Sequence, residues 1–277
     1  SVRKIITGLI AIIMSTHAWG MSLINDTETE RVLMELIQPL AVAANIPDRR
    51  LKIHIIDDDD FNAFVRGGED VFVYTGLLKQ IKTPNALQAV IAHEMGHMLG
   101  GHTAQMADRM DAELKRTLLI QALGVGLMVA GGNPSLGAGV MAGSAGVAQQ
   151  SMMAFTRDEE RIADNMGVDL MIKAKQNPNG FITVFEQMHE LTGAMESKIN
   201  PNRINHPLTT ERLNNVQARI EKIAPNTKHN DKTTPEYELV RAKLIGYLDS
   251  GAHVLEKYPY SDKSTPALYA RAIANMQ

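Results

Sequence analysis

His93-Glu94-Met95-Gly96-His97 places two imidazoles four residues apart, with a carboxylate directly after the first. On an α-helix, positions i and i+4 lie on one face, so both rings reach a single metal ion. Glu94 sits about 100° round the helix from His93, where it can address a water at that ion. This is the H-E-x-x-H zinc-hydrolase pattern. It requires a helix with one protected face, and the flanking residues supply one. Thr83 before Pro84 reads as an N-cap followed by proline at the first helical position. Leu87, Val90, Ile91, Glu94 and Met98 then recur at helical spacing, which turns both histidines toward the interior.

A third metal ligand must come from elsewhere in the chain. The extended pattern H-E-x-x-H-x-x-G-x-x-H fits at Gly100, but position 103 is Thr103. His102 comes one residue early and, five residues from His97, points away from the face shared by His93 and His97. Downstream, Glu160 and Asp164 are four residues apart and share a helix face. In that arrangement Glu160 binds zinc, and Asp164 accepts the second N–H of a ligand histidine and fixes its tautomer. Glu159 has no carboxylate at i+4 and is the poorer candidate.

Four segments between Val32 and Val216 carry a wider likeness. They are Asn62-Ala63-Phe64 through Gly67-Gly68 to Tyr74-Thr75-Gly76-Leu77-Leu78, then His93–His97 with His102-Thr103, then Arg157 through Glu160 to Ala163-Asp164, and last His206-Pro207-Leu208 with Arg212. With them the chain resembles the zinc metallopeptidase family of the CAAX prenyl protease and the heat-shock membrane protease, most of all its periplasmic β-barrel assembly-enhancing branch. The resemblance implies an α+β, mainly helical fold: a zincin-type domain with a small edge-exposed sheet and an active-site helix, then a short tetratricopeptide-like tail. It implies one Zn2+ per chain and hydrolysis of peptide bonds with Glu94 as general base. Val71, Phe72, Val73 and Tyr74 resemble the family's edge strand beside the cleft, to which substrate adds as a further strand. His206 resembles the histidine that stabilises the transition state or sits on the metal as a resting lock. Arg212, one turn into the next helix, is a candidate for oxyanion support.

The N-terminal residues bear on location. Arg3-Lys4, the apolar run Ile5–Met14, and Ala18 and Gly20 at the −3 and −1 positions read as a signal peptide over 1–20. This points to export into a Gram-negative periplasm, with an uncleaved N-terminal anchor as the alternative. The absence of cysteine among 277 residues excludes disulfides and thiolate metal sites. A net charge of −3 without a basic block argues against nucleic acid. The acidic run Asp57–Asp60 lacks the glycine and later glutamate of a calcium loop and reads as a solvated turn.

Two further segments stand out. Residues 117–153 contain no charged side chain and eight glycines between Gly124 and Gly146. Leu118 to Ala130 is too short an apolar run to span a bilayer and reads as a buried helix. Gly139 and Gly143 have the spacing of a close helix contact. The alternative for 117–153 is a flap touching a membrane or an apolar partner. Further on, residues 225–235 are polar and flanked by prolines. They read as a linker between a metallopeptidase domain (21–224) and a helical tail (236–277) that could begin a tetratricopeptide array.

Two functions follow from these readings. One is a zinc endopeptidase acting on misfolded or stalled exported proteins. The other is a mostly latent protease serving as a chaperone-like assembly factor for outer-membrane proteins, its tail facing the assembly machinery. The complete set of His93, Glu94, His97 and Glu160 favours the enzyme, since a pure binding module has no need of Glu94.

Overall fold

Short strands alternate with helices early in the chain, and among the described residues every element after Tyr74 is helical. The computed structural model describes residues 22–47, 50–131, 155–194, 206, 209–229 and 232–276. The expected signal peptide over 1–20 and the Gly139–Gly143 contact lie outside the described residues. Strand β1 (Leu23–Ile24) leads into helix α1 (Thr27–Ala43). Strands β2 (Lys52–Ile56), β3 (Ala63–Arg66) and β4 (Asp70–Tyr74) follow, then helices α2 (Thr75–Gln80), α3 (Pro84–Leu99) and α4 (His102–Gly131). Helices α5 (Arg157–Lys173), α6 (Gly180–Ala194) and α7 (Thr210–Ile223) precede the tail helices α8 (Pro235–Leu248), α9 (Gly251–Lys257) and α10 (Thr265–Ala274). The architecture is α+β and mainly helical.

The sheet corrects one expectation. Its order is β1-β2-β4-β3, with β2 and β4 parallel and the outer pairs antiparallel. Val71–Tyr74 is therefore an inner strand, paired with β2 on one side and β3 on the other. The free edge is Ala63–Arg66, and among the described residues no strand pairs with its outer side. The cause is the turn between them: Gly67 and Gly68, with φ of 61° and 80°, fold β3 back along β4. A short run of β-branched and aromatic residues marks Val71–Tyr74 as a strand but says nothing about its neighbours. One sheet face buries Ile55, Ala63, Val65, Val71 and Val73 in the core. On the other face His54, Phe72 and Phe64 form a stacked row, with ring centroids 4.6 Å apart at each step.

Helix α3 runs through the middle of the molecule, packed against α1, β3, α5 and α6. Thr83 caps it, its hydroxyl accepting from the Ala86 N–H at 3.3 Å, with Pro84 at the first turn. Leu87, Ile91 and Met95 are fully buried. The approach of α5 is close because Gly96 has no side chain: a Cβ there would overlap the Ala163 carbonyl. This contact brings the first turns of α5 beside the histidines.

One other segment differs from its reading in the sequence. Leu118 and Leu119 on α4 are 55% and 67% exposed, so this part of the apolar run is not buried. The run continues a 30-residue helix that begins at His102. At the tail, α8 packs onto the elements before it. Tyr237, Val240 and Leu244 belong to the same core as α3, and the Tyr237 hydroxyl donates to the Ile81 carbonyl at 3.2 Å. A separate small cluster of Ala242, Ile245, Val254 and Ala270 joins α8 to α9 and α10.

Candidate metal centre

Three elements deliver the side chains. Helix α3 presents His93, Glu94 and His97, all buried, with His97 only 1% exposed. Helix α5 presents Glu160 and Asp164, and the segment before α7 presents His206. The start of α5 is fixed by a capping box in which Thr156 and Glu159 each bond the other's backbone N–H. Glu159 also pairs with Arg109 of α4 at 2.9 Å, and its carboxylate is not among the converging donors. Glu160, one residue on, is the carboxylate that turns inward.

Four donor atoms converge. His93 Nε2 and His97 Nε2 are 3.1 Å apart, and Glu160 lies 3.3 Å from the first and 3.7 Å from the second. His206 Nδ1 completes the group, 2.7 Å from Glu160 Oε1 and 3.3 Å from His93 Nε2. One ligand atom from each of the four residues lies within 4.8 Å of every other, which is the spacing a single ion requires. Imidazole nitrogens with one carboxylate are a donor set suited to zinc. The surroundings fit as well. Asp164 Oδ1 is 2.8 Å from His93 Nδ1, the contact that aims the opposite nitrogen at an ion.

Charge in the site is arranged around a cation. Burial opposes protonation of His93, but Asp164 and Glu160 outweigh it and raise that imidazole to about 9. Burial pushes Glu160 up, and His206 and His93 more than reverse this, holding it well below the usual carboxylate range. Burial, helped by the neighbouring His93 and His206, keeps His97 neutral. Glu94 lies 3.4 Å from His206 Nε2, and burial raises its carboxyl above the ordinary value, the direction that suits a general base. Arg212 points at the carboxylates: Nε and Nη2 donate to the two Asp164 oxygens at 2.8 Å, and Nη1 lies 2.9 Å from Glu160. Val71, Phe72, Val73 and Tyr74 lie in the sheet and supply no atom to this cluster.

Two residues of the site are not evident in the spacing of the motif. His102 is buried with its Nδ1 3.0 Å from His97 Nδ1, contrary to the expectation that it points away. That expectation assumed an unbroken helix. Helix α3 ends at Leu99, and Gly101, with φ of 73°, turns the chain so that His102 folds back under His97. Phe155 stacks on His97 with centroids 3.8 Å apart and lies 5.2 Å from the His206 ring. Its only sequence signal is its place directly before the capping Thr156.

Comparison with known proteins settles the family. The profile of peptidase family M48 matches residues 27–220, from the start of α1 to the last turn of α7. The chain belongs to peptidase family M48. The matched M48 span contains all four converging donors together with Glu94, Asp164 and Arg212. Among relatives, the beta-barrel assembly-enhancing protease of Escherichia coli is 26% identical over 234 residues, 84% of this chain and 47% of that protein. The mitochondrial metalloendopeptidase OMA1 of Schizosaccharomyces pombe is 27% identical over 192 residues, 68% of this chain and 52% of the relative. Metalloprotease LoiP of Escherichia coli is 27% identical over 180 residues, 65% of this chain and 67% of the relative. The M48 chain thus spans about half the length of the first of these relatives. Among its described residues no helix is long and apolar enough to cross a membrane.

Proposed function

We propose that this M48 chain is a zinc-dependent endopeptidase that hydrolyses misfolded or stalled exported proteins. The observation carrying the proposal is the buried convergence of His93, His97 and Glu160 with Glu94 on the same helix. His93, His97 and Glu160 would hold a zinc ion, which would supply Lewis acidity toward a water molecule and the peptide carbonyl. Glu94 takes the proton from the attacking water and passes it to the departing amine, so that one peptide bond is exchanged for a carboxyl and an amino group. Arg212 and Asp164 keep Glu160 and His93 in register. The free edge of β3 gives an extended substrate main-chain hydrogen bonds with little demand on its side chains. This moves the substrate-binding role from Val71–Tyr74 to Ala63–Arg66.

His206 supports a second reading, a mostly latent protease that acts as an assembly factor. Its Nδ1 lies within the donor set and its Nε2 faces Glu94, so one ring covers both the fourth ligand position and the base. Released from there, the same imidazole is a donor for the carbonyl oxygen as negative charge develops. Export to the periplasm rests on the leader-like residues 1–20. A role for α8–α10 toward outer-membrane assembly machinery rests on the name of the relative. The exposed Leu118 and Leu119 are the described part of 117–153 that suits peripheral contact with a membrane.

Cleavage of an unfolded protein by the zinc-loaded chain, its Glu94→Gln variant and its His206→Ala variant tests both readings. Glu94→Gln is expected to lose about 10²–10⁴-fold in rate while still binding one zinc. Near-normal cleavage by Glu94→Gln would sink the mechanism. A rise in rate for His206→Ala marks the ring as a latch, and a fall marks it as part of the catalytic apparatus.

A further inference from the structure

The two α3 histidines are held by different kinds of partner. His93 faces a carboxylate, Asp164, which is clamped in turn by Arg212. His97 has the ring of His102, with the two Nδ1 atoms 3.0 Å apart and both residues buried. Two ring nitrogens at that distance form a hydrogen bond only if one carries the proton and the other a lone pair. His97 Nε2 is the atom that faces His93 Nε2 and Glu160, so its lone pair belongs to the metal site and its proton to Nδ1. The acceptor must then be Nδ1 of His102.

We propose that His102 is a positioning residue of the metal centre: its Nδ1 accepts the His97 Nδ1–H, fixing that ligand's tautomer and aiming its Nε2 at the ion. The inference deepens the metal-site reading above and rests on it. The backbone is built for the contact. Gly101 has φ of 73°, which reverses the chain after α3. Gly100 leaves the space the ring occupies, since a Cβ there would lie 2.6 Å from His102 Nε2 and 2.7 Å from Cε1. The backbone of Gly100, at φ −73° and ψ −6°, is one that alanine adopts freely. Gly100→Ala therefore acts first on the His102 ring, its next contact being the Gly96 carbonyl oxygen at 3.2 Å. A neutral imidazole also adds no second anion beside Glu160, in contrast with the carboxylate behind His93.

The test measures zinc affinity by competition with a chelator, and the visible absorption of the cobalt-substituted protein, at fixed pH. Thermal melting of each metal-free variant serves as the folding control. His102→Gln keeps an acceptor and is expected to stay near wild type, whereas His102→Phe fills the space without one and should bind zinc about 10–100-fold more weakly. Gly100→Ala should lose affinity in the wild-type background and lose nothing further in His102→Ala, where the obstructed ring is gone. A folded His102→Phe protein binding zinc within about twofold of wild type would overturn the positioning role alone. So would a Gly100→Ala loss that persists undiminished in His102→Ala. A folded wild-type protein that binds no zinc overturns this inference together with the metal-site reading beneath it.

Discussion

Asp164 illustrates how much at this site is decided by single atoms. One carboxylate oxygen lies 2.8 Å from His93 Nδ1 and also accepts from Arg212 Nη2. Asp164→Asn halves the acceptor capacity and removes the charge facing Arg212, which remains buried beside Glu160. Zinc affinity, read by chelator competition, is expected to fall about 10–100-fold. Asp164 is legible in the sequence because its partner lies on the same helix face, four residues away. His102 is not, for a reason equally local: the rule for positions along a helix ceases to apply at Gly101. Arg212 illustrates a different gap, in that the sequence locates the residue but gives no means of ranking an open oxyanion site against two buried carboxylates.

At the scale of elements, the crossing of α3 and α5 sets the distance from the histidines to Glu160. Gly96 lies at that crossing, against the Ala163 carbonyl, and Gly167 lies against Ala92 of α3 and Phe181 of α6. Gly96→Val would force the helices apart, costing about 1–3 kcal/mol in overpacking. The same displacement moves Glu160 from His97, so the variant should bind zinc more weakly even where it remains folded. Equal affinity in a folded Gly96→Val protein would mean that the crossing does not control the site. The limits of each helix follow from caps and prolines such as Thr83-Pro84 and Thr234-Pro235. Sheet order does not follow from such signals. The Val71–Tyr74 run is a short apolar strand in the sequence, yet its place between β2 and β3 depends on long-range pairing.

Across the whole molecule, the tail is tied to the beginning of the described chain. Lys243 of α8 lies 2.7 Å from Asp26 and 2.8 Å from Glu28, at the start of α1. Burial pushes the Asp26 carboxyl up, but hydrogen bonds from Lys243 and Thr29 outweigh it and hold it below the usual 3.8. A carboxyl lowered by folding stabilises the fold fully above its unfolded value and loses that effect as pH falls through its folded value. Acid unfolding below about pH 4 should therefore include a contribution from Asp26. Asp26→Asn is expected to reduce the loss of stability between neutral pH and pH 3, as followed by circular dichroism. An unchanged acid slope would remove Asp26 from that account.

The burial of Tyr237 bears on what happens when the backbone is cut. Lys228 is exposed, in the stretch just before α8, while Tyr237, Val240 and Leu244 sit in the core shared with α3. A single tryptic nick after Lys228 should therefore leave two fragments that still complement each other. They would elute together in gel filtration and part only in denaturant, as one folded body with a severed chain.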